Sequence, residues 1–120
     1  MLDKIVYLED GETRYPMAFT MNVMEVIQEA YGTIQNWAKL VQNAKEPNIK
    51  ALKLMVTEAI NEGFDIEEKE ERLTPKQVGR LITKLGIKNV YSKTNTLITS
   101  SVPEPEEKSK NDKPMKNPKV

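Results

Sequence analysis

Carboxylates are the side chains in this sequence whose type and spacing could do chemistry, and they concentrate between Asp65 and Glu71. The sequence contains no histidine and no cysteine, so the usual general base near neutral pH, thiolate nucleophiles and most transition-metal ligands are missing. Oxygen ligands could still bind Ca²⁺ or Mg²⁺. A calcium loop of the EF-hand kind needs alternating acidic side chains and a central glycine, whereas 65–71 is a simple charged run without glycine. We therefore predict a solvated connecting segment here, with no metal and no cofactor.

Catalysis by a hydroxyl or carboxylate group would need a pocket with at least two convergent polar groups of shifted pKa. No spacing in the sequence indicates such a pocket, so we predict that the protein is not an enzyme. Lysine plus arginine and aspartate plus glutamate number 18 each, which removes the long-range field that draws proteins to nucleic acid or anionic membranes. The sequence has neither a signal-peptide pattern nor a membrane-spanning apolar run. These features favour a cytoplasmic protein that works by binding other proteins.

The elements that would position these groups begin with a hairpin. Apolar segments at Ile5–Leu8 and Thr13–Phe19 flank Asp10-Gly11, a dipeptide suited to a tight turn between antiparallel strands. Pro16 cannot donate a ladder hydrogen bond, so the second strand is expected at an edge or to end early. Because an isolated hairpin is marginally stable, it is expected to pack on the helices.

The remainder predicts a mainly α, compact four-helix domain over residues 1–101, followed by a disordered polar tail at 102–120 that is too poor in apolar residues to fold. Capping and breaking residues set the predicted helix limits. The four helices are expected at Asn22 (N-cap) to Gly32, Thr33 (N-cap) to Ala44, Pro47 or Asn48 to Glu62 with Gly63 as the stop, and Thr74 (N-cap) to Gly86 with Pro75 in the first turn. The periodicity of Ile87–Ser101 is poor and leaves its structure undecided.

Some apolar side chains fall beside the predicted core stripes. The third helix has a stripe about 100° wide, formed by Ile49, Leu52, Val56, Ala59 and Ile60. Leu54 and Met55 fall outside this stripe, and Met24 widens the stripe of the first helix. Apolar residues off a core stripe must be covered by something else. We therefore predict Met24, Leu54 and Met55 as partner-binding residues.

A basic stripe on the fourth helix leaves a DNA-binding alternative open. Lys76, Arg80, Lys84 and Lys88 recur every four residues, so the segment Thr74–Lys88 could be the recognition helix of a small helix-turn-helix regulator. Such a regulator would bind DNA with an affinity that falls steeply with salt. A solvated helix face is the favoured interpretation, because the net charge is zero. Gly79 inside this helix predicts close packing against another helix.

Several segments in this order and spacing resemble the tail assembly chaperones of long-tailed bacteriophages and prophages with Gram-positive hosts. They cover most of the predicted ordered body and are YPMAFTMN at 15–22, IQEAYGTI at 27–34 followed by Trp37, EPNIKAL at 46–52, EAINEG at 58–63 and LTPKQVGRLI at 73–82.

The resemblance implies the short, non-frameshifted form of such a chaperone. It implies a protein of the host cytoplasm that binds the tape measure protein, keeps it soluble while the tail tube polymerises, and is not part of the mature virion. The resemblance leaves open whether the chain also binds the tail tube protein and whether it associates with itself. In the family, recruitment of tube subunits belongs to an extra domain of the longer frameshifted product, and the resemblance of this sequence is to the first domain, so recruitment of tube subunits is not implied.

Overall fold

The computed structural model of the chain describes residues 4–101. These residues form an antiparallel hairpin followed by five α-helices. The elements are β1 (Ile5–Asp10), β2 (Thr13–Ala18), α1 (Met21–Tyr31), α2 (Ile34–Val41), α3 (Ile49–Ile66), α4 (Pro75–Leu85) and α5 (Ile87–Ser101). The mainly helical fold with an N-terminal hairpin is therefore confirmed. The predicted count of four helices is wrong, and the predicted tail at 102–120 lies outside the described residues.

The predicted hairpin forms, but its turn lies one residue later than the expected Asp10-Gly11. Asp10 pairs with Thr13, so Gly11 and Glu12 make a two-residue connection in which Gly11 has φ +63°. Pro16 is tolerated opposite Tyr7 because a two-stranded sheet has only edge strands. Strand β2 packs along α3, and β1 packs against α5. The hairpin is thus one wall of the core, as its marginal stability alone requires.

Helix α3 lies at the centre of the fold and contacts β2, α1, α2 and α4. It continues through Gly63 to Ile66, which corrects the predicted stop at Gly63. The reason is packing rather than capping. A Cβ on Gly63 would lie 2.5 Å from the Pro16 carbonyl oxygen, so glycine lets the hairpin backbone approach the helix directly.

The central position of α3 also corrects the predicted core stripe. Met55 was expected outside the stripe and is fully buried, whereas Ile49 was expected inside it and is 42% exposed. A helix packed on several sides buries more than one 100° face, so Met55 belongs to the core. Ile49 is the first residue of the helix and is only partly covered by the described residues.

Two helix ends differ from their predicted positions. Helix α1 begins after Thr20 rather than after Asn22, and both side chains donate hydrogen bonds to Glu62 of α3, at 2.6 and 3.2 Å. Helix α2 ends at Val41 rather than Ala44, and the Asn43 side chain accepts hydrogen bonds from the backbone N–H groups of Lys45 and Glu46, which forms a local turn. The predicted N-cap Thr33 is confirmed, since its hydroxyl accepts from the Asn36 N–H.

The start and end of α4 are the best predicted local features. Thr74 and Gln77 form a reciprocal capping box, Pro75 occupies the first turn, and Gly86 ends the helix with φ +95°. Gly79 does face another helix, because a Cβ there would meet the side chain of Lys53 on α3. Among residues 4–101, no helix combines the length and apolar character needed to cross a bilayer.

Helix α5 is the element that the sequence left undecided. Its buried residues recur with helical spacing and are Val90, Thr94, Leu97, Ile98 and Ser101. Thr94 fits an apolar interior because its hydroxyl donates to the Val90 carbonyl at 2.8 Å. The ring of Tyr91 stacks on Trp37 with centroids 6.2 Å apart, so α5 contacts α2 at this position in addition to packing on the hairpin.

A candidate protein-binding groove

Two neighbouring hollows beside the N-terminal half of α3 both have Lys53 in their linings, and together they are here called the α3 groove. The first lies between α3 and the α4–α5 junction and is lined by Ile49, Lys53, Gly79, Ile82, Thr83, Gly86 and Ile87. The second lies between the end of α1, α3 and the start of α4 and is lined by Ala30, Tyr31, Asn48, Lys50, Lys53, Leu54 and Pro75. Their volumes are about 370 and 540 Å³, enough to take several side chains.

The rims of the α3 groove carry exposed apolar side chains. Ile49 is 42% exposed at the start of α3, and Ile87 is 39% exposed at the start of α5. Together with Met21, which is 53% exposed and is not among the groove-lining residues, they are the large apolar side chains exposed on the described part of the chain. Two of the three thus border the same depression, which is the pattern of a surface that another apolar group covers.

The floor of the α3 groove depends on a glycine. The Lys53 side chain lies across α4 at Gly79, where a Cβ would be 3.4 Å from Lys53 Cε and 3.5 Å from Nζ. The aliphatic stem of a half-buried lysine can cover apolar surface in this way. No carboxylate lies within ion-pair distance of Lys50 or Lys53 among residues 4–101.

The three predicted partner-binding residues differ in burial and in their position relative to the α3 groove. Leu54 is half-buried and lines the α3 groove. Met24 is half-buried against the core and is not a lining residue. Met55 is fully buried, so its predicted exposure is wrong, and in this structure it cannot contact a partner. Sequence reasoning missed Ile49 and Ile87, although an apolar residue directly after the helix-ending Gly86 is a usable signal for the latter.

The basic stripe is divided by the structure. Lys76, Arg80 and Lys84 are exposed on α4, and the Lys84 ammonium lies 3.0 Å from Asp10 in the hairpin turn. Lys88 belongs to α5, beyond the helix end at Gly86, and lines another hollow with Tyr91. A single recognition helix presenting all four charges is therefore not formed, and DNA binding stays a prediction without a specific observation in its favour.

The acidic run at 65–71, which begins in the last turn of α3, makes an ion pair and a hydrogen bond with other segments. Asp65 pairs with Arg72, and Glu67 accepts a hydrogen bond from the Tyr7 hydroxyl. That hydrogen bond lowers the pKa of the Glu67 carboxyl and raises the pKa of the Tyr7 hydroxyl. Within residues 4–101, no group of three acidic side chains is arranged to hold a metal ion. Glu67 thus links the end of α3 to the hairpin, and Asp65 links α3 to the segment that precedes α4.

A clamp anchors the chain as it enters α4. The Asn61 side chain accepts from the Leu73 N–H at 2.9 Å and donates to the Leu73 carbonyl at 3.0 Å. Both backbone groups of this residue are therefore satisfied by α3. The clamp and the capping box together fix where α4 starts, and so fix the α4 wall of the α3 groove.

The chain matches no protein-family model, no curated protein and no solved structure. The resemblance to tail assembly chaperones rests on the segments between residues 15 and 82 alone, and it stays a prediction.

Proposed function

We propose that the protein is a binding protein that takes an apolar helical segment of another protein into the α3 groove. The observation that carries this proposal is the pair of exposed isoleucines, Ile49 and Ile87, at the rim of one open, mainly apolar depression. Covering a side chain that is about two-fifths exposed is worth on the order of 1 kcal/mol. Several such contacts along a helix give reversible binding, which suits a protein that holds its partner temporarily.

Within this class, the proposed role is that of a phage tail assembly chaperone. The partner is the tape measure protein, which the chain keeps soluble in the host cytoplasm during tail tube assembly, without becoming part of the mature virion. The sequence resemblance between residues 15 and 82 supports this choice. The chemistry of the surface also supports it, because a long helical protein with apolar stripes stays soluble only while another apolar surface covers those stripes.

Co-expression tests the proposed role. A candidate tape measure protein is produced with and without this chain, and the soluble fraction of that candidate is measured after centrifugation. The proposal expects the tape measure protein to be soluble, and to co-purify with the full chain, only when both are produced. A tape measure protein that is equally insoluble, or equally soluble, in the two cultures contradicts the proposal.

A further inference from the structure

The charges that line the α3 groove all have one sign. Among its lining residues, Lys50 and Lys53 are charged, and none is aspartate or glutamate. Glu46 lines a third hollow that adjoins the groove at Asn48 and Ile49, so one carboxylate lies at the edge of the groove and both lysines lie within it. Both lysines project from one side of α3, three residues apart, next to the apolar side chains of Ile49 and Leu54.

The walls of the groove favour a helix over an extended strand as occupant. They are formed by α1, α3, α4 and the start of α5, whose backbone N–H and C=O groups are largely used within their own helices. A strand would bring unpaired backbone groups against these walls, and an unpaired backbone group is unfavourable away from water. A helix satisfies its own backbone and can place an apolar face into a furrow between helices.

We infer that the α3 groove selects an amphipathic helix whose apolar face is flanked by acidic side chains. Apolar residues of the partner fill the depression between Ile49, Leu54 and Ile87, and its glutamates or aspartates lie over the Lys50 and Lys53 ammonium groups. We choose acidic flanking residues for the partner helix because like charges across an interface are unfavourable, whereas opposite charges attract and fix the orientation of the partner. The inference rests on the proposed function in placing the binding site at this groove, and it adds the chemistry of the partner.

Two model peptides and the full chain test this charge selection. Each peptide is a designed helix of about 20 residues with the same leucine face, flanked by glutamates in one and by lysines in the other. Both carry fluorescein, and their dissociation constants are measured by fluorescence anisotropy at about 0.15 M salt. The glutamate peptide is expected to bind at least about tenfold more tightly than the lysine peptide.

A charge reversal in the groove provides the decisive comparison. Lys53→Glu is expected to weaken binding of the glutamate peptide about fivefold to tenfold and to strengthen binding of the lysine peptide. Lys39→Glu is the matched control, because Lys39 is exposed on α2 and lines neither hollow of the groove. Circular dichroism establishes that both variants are folded. The control is expected to bind both peptides as the wild-type chain does.

Four outcomes overturn the inference: no binding of the glutamate peptide, equal binding of the two peptides, an equal loss in Lys39→Glu, or a wild-type dimer that Lys53→Glu dissociates. The last would mean that a second copy of the chain occupies the groove. The proposed function is judged separately by the solubility of the tape measure protein. If that protein stays soluble while the peptides fail, the charge assignment falls and the chaperone role stands. If the peptides behave as expected and the solubility of the tape measure protein does not change, the chaperone role falls and the charge assignment stands.

Discussion

Gly63 and Gly79 both lie inside helices, yet replacing each with alanine is expected to change stability in opposite directions. Alanine favours a helix interior over glycine by about 1 kcal/mol, and this gain applies to both sites. At Gly79 the new Cβ would lie 3.4 Å from the end of the flexible Lys53 side chain, which can move. Gly79→Ala should therefore raise the free energy of unfolding by about 0.5 to 1 kcal/mol.

At Gly63 the same methyl group meets rigid backbone. Its Cβ would lie 2.5 Å from the Pro16 carbonyl oxygen and 2.7 Å from the carbonyl carbon, so the hairpin and α3 must separate. Overpacking of this kind costs about 1 to 3 kcal/mol or more, and contact with backbone places it at the upper end. After the gain in helix propensity, Gly63→Ala should lower the free energy of unfolding by about 2 kcal/mol.

Urea unfolding followed by circular dichroism measures both variants against the wild-type chain, with the midpoint and the slope m compared. The expected result is a midpoint shifted down for Gly63→Ala and up for Gly79→Ala, with similar slopes. A Gly63→Ala variant as stable as the wild type would refute the close approach of the hairpin to α3. A Gly79→Ala variant destabilised by more than about 1 kcal/mol would mean that Lys53 cannot be displaced.

Two further predictions concern buried and paired polar groups. The Thr57 hydroxyl is buried without a hydrogen-bond partner in the described part of the chain, so Thr57→Val should raise the unfolding free energy by about 1 kcal/mol. Thr94→Val is the control and should not stabilise, because its hydroxyl is hydrogen-bonded; equal gains in urea unfolding would contradict this reasoning. Because the pKa of Glu67 is lowered in the folded state, its stabilisation is present above about pH 4.5 and is lost as the pH falls through the folded pKa. Because the pKa of Tyr7 is raised, its stabilisation is present below about pH 10 and is lost as the pH rises through the folded pKa. The stability difference between wild type and Tyr7→Phe, measured across pH, should be largest between these limits; a difference that does not change with pH would exclude this pairing.

Local chemistry predicted the parts of the fold that are governed by nearby residues. The capping box at Thr74, the helix end at Gly86 and the turn at Gly11 each follow from side chains within a few positions. Gly63 was wrongly predicted as a helix stop, because glycine is needed there for close contact with the distant residue Pro16 and not for ending its own helix. A contact of that kind has no local signal.

Burial was harder to predict where several elements meet. Met55 is buried because other elements surround α3 on several sides. A pattern that assumes one buried helix face does not predict burial of this kind. Helix α5 was left undecided because its buried positions include Thr94 and Ser101, which a purely apolar pattern omits. Of the residues that line the groove, the sequence indicated Leu54 as a binding residue, whereas Ile49 was assigned to the core stripe of its helix and Ile87 lay in the segment left undecided.

The central claim, that the α3 groove binds the partner, is tested most directly by a matched pair of substitutions. Ile87 and Met21 are each the exposed first residue of a helix, where aspartate suits the helix dipole and the fold should persist. Only Ile87 lines the groove. In the co-expression assay with the tape measure protein, the account predicts that Ile87→Asp loses most of the soluble, co-purifying partner while Met21→Asp retains it. Full retention of the partner by Ile87→Asp, or an equal loss in both variants, would contradict it.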